Sequence, residues 1–422
     1  MRPDNTLLLI GHKTETVRRA KAFGLDVILM QHKSKLDPEQ AQLADVTFVV
    51  DYTDWEIVRP LAEAAHRTWG FRAALSLTEP GLDVAARIND LLELGGTGYE
   101  VSHRLRDKWV MRRHLAAAGE DTIAAGLVGD RESLERFGAD HGYPFIVKPT
   151  DMTAGYGLLP VATPDELDRV WGEIRRFREE GVTYGTTLFT IQDFIMEEYV
   201  DGPEFSVESF SFAGRHAVVA VTEKLVHPSH FVELGHTLPA RIDPALEHDI
   251  VETVKRFLDV IGLADGPSHT EVRIGARGPA IIESHNRIGG DRIGDLVRAA
   301  YGIDLADLAG GWPFRLVDEL PDRPEPLGGA CVRFVHGRPG RVVALGDADD
   351  LSARPEVIAT ELTAKVGDVV RPLHNNWDRL GLVAVLGSDS DAAVEICNDV
   401  LASFEVETID DAPARELAGV EG

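Results

Sequence analysis

Residues 269–287 constrain this chain more than any other stretch, because they read as a hairpin that sets two carboxylates face to face. Taking Ala276-Arg277-Gly278 as a three-residue loop, with Gly278 in the left-handed conformation that such loops need at their last position, predicts a single register. In that register Glu271 lies opposite Glu283, Val272 opposite Ile282 and Ile274 opposite Ala280. One face is then apolar and the other carries His269, Glu271, Arg273, Glu283 and His285, a separation that a one-residue slip would destroy. Opposed side chains have Cβ atoms roughly 5 Å apart, and two carboxylates there repel by about 3 kcal/mol at an effective dielectric of about 20. A hard divalent cation shared with nucleotide phosphates would turn that repulsion into binding energy. The bland alternative is an exposed polar face screened by Arg273 and solvent.

Upstream, short apolar runs at 7–10, 27–30, 46–50 and 73–77 alternate with amphipathic stretches at 17–23 and 55–66, which predicts βαβ units around a parallel sheet. Gly11-His12-Lys13 lacks the three-glycine dinucleotide pattern, so an NAD site is not supported. A helix is predicted over 107–118, a strand over 144–149, a polar loop over 150–157 and a helix over 165–180. Strands at 188–195, 204–212 and 217–223 follow, the last two joined by a turn at Ala213-Gly214-Arg215. After a helix at 244–261, the acidic hairpin and a helix from near Asp291, residues 321–326 read as a Pro-rich linker. The remainder, with strands at 330–335 and 382–386 and a helix at 392–404, reads as a small α+β unit.

The net charge of -27 over 422 residues argues against nucleic acid and anionic membrane partners, which demand clustered cations. Cys331 and Cys397 stand far apart, so neither a disulfide framework nor a zinc site is suggested. The amino-terminal apolar run is too short for a signal peptide, and no run approaches a membrane span, so the cytoplasm is the expected location.

Lys148 ends an apolar strand and precedes Ala154-Gly155-Tyr156-Gly157, combining a cation with backbone amides that can approach a phosphate closely. Alone it reads equally as an ordinary strand-end lysine. Lys108, at a helix start, offers a second cation. Residues 196–207 carry acids around a Gly-Pro turn, where carboxylates can accept ribose hydroxyls and extended backbone can bond an adenine edge; a solvated loop is the alternative. A zinc reading of His227, His230 and His236 matches no common ligand spacing.

The order of these features, Lys108, Lys148 with its glycine loop, residues 197–204, then Glu271 and Glu283 ahead of Arg287, resembles the ATP-grasp family. Residues 222–240 and 283–291 look most like its L-amino acid ligases. The resemblance implies an α/β and α+β chain: an N-terminal parallel-sheet (pre-ATP-grasp) domain over 1–103, a nucleotide-lid subdomain over 104–200 with the lid at about 120–195, an ATP-grasp core over 201–320, and a small C-terminal α+β subdomain over 327–422. It implies carboxylate–amine ligation through an acyl phosphate, with ATP and Mg2+ (Mn2+ as substitute) as cofactors and a small carboxylate and amine as substrates. Carried over by motif position, Lys108, Lys148, Gly155, Tyr156, Glu197, the backbone of Val200 and Glu204 bind ATP, and Glu271 and Glu283 hold the metal. Arg287 steadies the phosphoryl group and the tetrahedral centre. Gly289, Gly290 and Asp291 open a helix whose free amides suit a carboxylate or acyl phosphate. Glu233 and His236, where these ligases place a loop reaching the substrate, are candidates for contacting the amino acid or the metal cluster, with His236 also a candidate catalytic residue beside Arg287.

The third metal ligand is left between His285 and Asn286. Asp291 stands where some relatives carry a bulky aromatic residue, which suggests a roomier or more cation-tolerant acceptor site, to be tested by Asp291→Trp. Glu79, in the loop Thr78-Glu79-Pro80, is a weaker candidate facing the cleft. Two rival readings remain, a carboxylase or D-alanine-ligase type of ATP-grasp reaction and a non-catalytic nucleotide-binding regulator. A homodimer is the symmetric expectation.

Overall fold

The computed structural model describes residues 3–120, 123–180, 188, 191–227 and 231–409. Strands β1 (Thr6–Ile10), β2 (Asp26–Gln31), β3 (Val46–Val49) and β4 (Ala73–Leu75) form the expected parallel sheet, in the order β3-β2-β1-β4. Every residue of β1 is buried, which follows from helices covering both faces of a parallel sheet. Alternation divides the strand between two cores: Leu8 and Ile10 join Ile28 and Met30 on one side, and Leu7 and Leu9 join Val27 and Leu29 on the other.

Strands β5 (Ala125–Leu127), β6 (Phe145–Pro149), β7 (Leu159–Val161) and β8 (Phe194–Glu198) make an antiparallel lid sheet in the order β5-β8-β6-β7. Helices Arg131–His141 and Leu167–Glu180 bury Leu134, Phe137, Val170 and Ile174 with Phe145, Val147 and Phe194 of that sheet. Of the strand predicted over 188–195, only its last residues lie in β8; residues 189 and 190 fall outside the described ones.

The core is one antiparallel sheet of β9 (Glu204–Phe212), β10 (Arg215–Val226), β11 (Glu233–Leu238), β12 (Gly266–Gly275), β13 (Gly278–His285), β14 (Gly329–Val335), β16 (Val357–Leu362) and β18 (Gly381–Gly387), in the order β13-β12-β9-β10-β11-β14-β18-β16; β15 (Gly340–Leu345), β17 (Val369–Val370) and β19 (Val406–Ile409) form a separate three-stranded sheet. Strands from beyond residue 326 therefore extend the same sheet that carries the acidic hairpin. Helix Pro244–Ile261 packs Ile250, Val254, Phe257 and Ile261 on the hairpin side.

The hairpin keeps the predicted Glu271–Glu283 and His269–His285 rungs, but by a different route. Gly275 pairs with Gly278 around Ala276-Arg277, one residue tighter than expected, and a bulge at Ile282 restores the register. Gly278 does take the left-handed conformation, at φ 98°. Val272 consequently faces Ile281, which joins the core, while Ile282 lines the cleft and its carbonyl accepts from Arg112 Nη2 at 3.0 Å.

Two further expectations are corrected. Residues 233–238 form a strand, not a loop, because β10 and β14 offer pairing edges on both sides. Asp291 does not cap the helix Ile293–Tyr301; it and the N-cap Arg292 both have positive φ, and its carboxylate is bound elsewhere.

Candidate active site

Lid and core sheets line a cleft between Lys148 and the Glu271–Glu283 rung, with a cavity volume of about 140 Å³. On the lid side, antiparallel pairing places Glu197 of β8 opposite Ile146 of β6, beside Lys148, whose Nζ lies 2.8 Å from Glu197 Oε2. Arg112 reaches Glu197 Oε1 at 2.6 Å from the helix Lys108–Ala118, which starts where the Asp107 carboxylate accepts the Val110 N–H at 2.9 Å. Burial opposes ionisation of Glu197, but Arg112 and Lys148 outweigh it and hold the carboxyl down at about 2. Lys108 donates to the Met152 carbonyl at 2.7 Å and lies 3.1 Å from Glu283 Oε2. Gly155, Tyr156, Val200 and Glu204 line the same cleft. The Tyr156 ring stands 4.8 Å from Trp377, so the glycine loop meets the C-terminal segment over the cleft.

On the core side each acid of the central rung is backed by a histidine and a second, buried acid. His269 Nδ1 lies 2.9 Å from Glu208 Oε1 and its Nε2 3.5 Å from Glu271; His285 Nδ1 lies 3.2 Å from Glu79 Oε1 and its Nε2 3.2 Å from Glu283. His269, despite burial, is pushed up to about 9 by Glu208 and Glu271. Lys224 of β10 completes the cluster, with Nζ 2.9 Å from Glu204, 2.6 Å from Glu233 and 2.6 Å from Glu271. Burial opposes both charges of the Lys224–Glu271 pair, but their attraction wins, holding the ammonium well above and the carboxyl well below its usual range. Glu283 is likewise held low, chiefly by Lys108 against burial. Of the two residues left open as third ligand, His285 faces Glu283, while Asn286 lines a separate cavity between the N-terminal sheet and the core.

Beyond this rung Arg287, His236, Glu233, Gly290 and Asp291 line an adjoining pocket. Arg287 Nε lies 2.6 Å from Glu79 Oε2, which draws the N-terminal domain into the site. Gly289 is needed for close approach: a Cβ there would sit 2.8 Å from His269 Nδ1. Asp291 receives both Nη groups of Arg379, at 2.7 and 2.8 Å, and stands 3.4 Å from His236. Its two oxygens are thus engaged within the protein by Arg379 and His236. Arg379 lies over the Phe334 ring at 3.7 Å, and Asn376 donates to Glu233 at 2.7 Å. Of the histidines considered for zinc, His230 lies outside the described residues, and the clusters able to hold a metal among the described residues are Glu233–His236–Asp291 and Glu204–Glu233–Glu271.

Sequence reasoning missed Arg112, Glu208, Lys224, Asn376 and Arg379. Lys224 left a faint signal: a two-residue turn at Ala213-Gly214 pairs Phe212 with Arg215, but only the bulge between Val218 and Ala220 brings Lys224 level with Glu204. Arg379 left none, since it meets Asp291 across 88 residues of chain.

Residues 141–295 match the ATP-grasp domain, residues 17–96 the ATP-grasp N-terminal domain and residues 333–408 the L-amino acid ligase C-terminal domain 2. The chain is similar to alanine–anticapsin ligase of Bacillus subtilis (strain 168), 25% identical over 265 residues that cover 60% of this chain and 56% of that one. It is 27% identical to carnosine synthase 1 of Gallus gallus over 207 residues, 47% of this chain and 22% of that one. The chain spans about half the length of the first curated relatives it matches. In fold, an L-amino acid ligase from Bacillus licheniformis superimposes with a TM-score of 0.81 at 19% identity, over 97% of this chain and 100% of that one. Among the described residues no helix is long and apolar enough to cross a membrane. With the three matched domains in this order around a lid and core of this topology, the chain is an ATP-grasp protein of the L-amino acid ligase-like group.

Proposed function

We propose that the protein is an ATP-dependent ligase that joins a carboxylate to an amine, giving a dipeptide-like amide with release of ADP and phosphate. The observation that carries this reading is the Glu271–Glu283 rung, set between a cleft lined by Lys108 and Lys148 and a pocket lined by Arg287. The names of the relatives, alanine–anticapsin ligase and carnosine synthase, point the same way.

The donor set of the rung is all hard carboxylate oxygen, which fits Mg2+, with Mn2+ as substitute, held by Glu271 and Glu283. A bound divalent ion would supply charge neutralisation for the phosphoryl group. Lys108, Lys148 and the amides of Gly155 and Tyr156 hold the ATP phosphates, Glu197 and the Val200 backbone the adenine, and Glu204 the ribose. A carboxylate oxygen of the first substrate attacks the γ-phosphorus, and the bond to the ADP oxygen breaks. Arg287, oriented by Glu79, steadies the transferring phosphoryl group and then the tetrahedral centre. The amine nitrogen attacks the acyl carbon, phosphate leaves, and the amine proton passes to His236. Glu233, Gly289, Gly290 and Asp291 shape the substrate end.

A pairwise amino acid and amine screen, read by phosphate release with mass spectrometry of positive wells, tests this. Amide masses in wells that need both partners are expected. Release with bicarbonate alone would mark a carboxylase, and tight ATP binding with no ADP formed across the panel would mark a regulator.

A further inference from the structure

Lys224 has no role in the reaction as written above, yet its side chain is only 1% exposed and its ammonium is enclosed by three carboxylates. The ammonium donates to Glu271 at 2.6 Å, and Glu204 and Glu233 lie 2.9 and 2.6 Å from the same Nζ. Ligand oxygens of these acids lie within 4.8 Å of one another, a spacing that a divalent ion could bridge. Oxygen ligands approach magnesium at about 2.0–2.1 Å, so an ion bound through Glu271 and the Lys224 ammonium compete for the same oxygens.

We propose that Lys224 is a resident counter-cation of the metal site, which occupies the Glu204–Glu233–Glu271 cluster in the nucleotide-free protein and yields Glu271 when nucleotide phosphates arrive to receive its ammonium. The inference rests on the reading of Glu271 as a metal ligand. Metal binding alone takes Glu271 from a buried ammonium and leaves it only Glu204 and Glu233, an unfavourable loss of counter-charge. With nucleotide present the ammonium turns to a phosphate oxygen, which replaces the lost partner. Metal and nucleotide then raise each other's affinity, and the coupling is reciprocal. Lys108, 3.1 Å from Glu283, stands in the same relation to the second acid.

The experiment titrates Mn2+ into wild type, Lys224→Met and Lys224→Arg, read by electron paramagnetic resonance, with and without a non-hydrolysable ATP analogue. Without nucleotide, Lys224→Met is expected to bind Mn2+ at least about tenfold more tightly than wild type, and Lys224→Arg like wild type. The gain in Mn2+ affinity on adding the analogue should shrink in Lys224→Met by a similar factor. Nucleotide-free affinity of Lys224→Met within about twofold of wild type, or an undiminished gain, would overturn the proposal. Should Lys224→Met fail to fold by circular dichroism, Lys224→Gln, which keeps a donor and drops the charge, carries the same expectation. No amino acid is present and nothing turns over, so the Mn2+ pattern can hold while the ligase screen fails, or the reverse.

Discussion

The two ion clusters that face each other across the cleft are balanced in opposite directions. On the lid side one buried carboxylate, Glu197, meets two cations, Arg112 and Lys148, and the surplus is positive. On the core side Glu204, Glu208, Glu233, Glu271 and Glu283 meet Lys224, Lys108, Arg273 and a protonated His269, and five acids against four cations leave a surplus of one negative charge. A surplus of cation invites phosphate and a surplus of carboxylate invites a divalent ion. The cleft is therefore polarised before any ligand enters.

Breaking the negative side should have the largest effect. Glu283→Gln or Glu271→Gln removes half of the rung, and phosphate release in the presence of amino acids is expected to fall by about a thousandfold or more. If either variant turns over within about tenfold of wild type, the rung is not the centre of the chemistry. Arg287→Met should lower kcat by roughly a hundredfold while leaving the KM for ATP nearly unchanged, since the arginine lies beyond the rung from the lid.

On the positive side the expected loss is one of stability. Replacing Glu197 by Gln leaves Arg112 and Lys148 without their counter-charge, at a cost of about 3 kcal/mol at neutral pH by chemical denaturation. Because the folded carboxyl is depressed to about 2, this contribution is fully present above the unfolded value of 4.5 and is lost as pH falls towards 2. The gap between wild type and variant should close over that window; a gap independent of pH would mean the ion pairs are not its source. Glu79→Gln, which loosens Arg287 and His285 from behind, should cost about tenfold in kcat with ATP affinity kept. The smallest effect is expected at the far wall: Arg379→Met frees Asp291 and should shift the KM of an amino acid substrate by a few-fold, read against an unchanged KM for ATP. A changed KM for ATP would place Arg379 on the nucleotide side.

Much of this was legible along the chain. The apolar runs of the first hundred residues follow a period that only a buried parallel sheet explains, and Asp107, Gly119 and Pro244 mark helix ends by local chemistry. The Glu271–Glu283 rung was legible because a hairpin is a local object, and even there the turn came out one residue tighter and a bulge at Ile282 made up the difference. Residues 233–238 were misread as a loop because strand formation there depends on two edges supplied from elsewhere, one of them by residues 330–333.

Local order along the chain determined most of the strands and helices, residues 233–238 excepted, and which carboxylates and lysines stand at strand ends, because backbone conformation and hairpin pairing are largely governed by neighbours a few residues away. Which charges meet was decided only in three dimensions. Glu79 reaches His285 across 206 residues, Arg112 reaches Glu197 across 85 and Lys224 reaches Glu271 across 47. A buried ion must find a partner of opposite sign, but the identity of that partner depends on how sheets from distant segments stack, and no local rule carries that information.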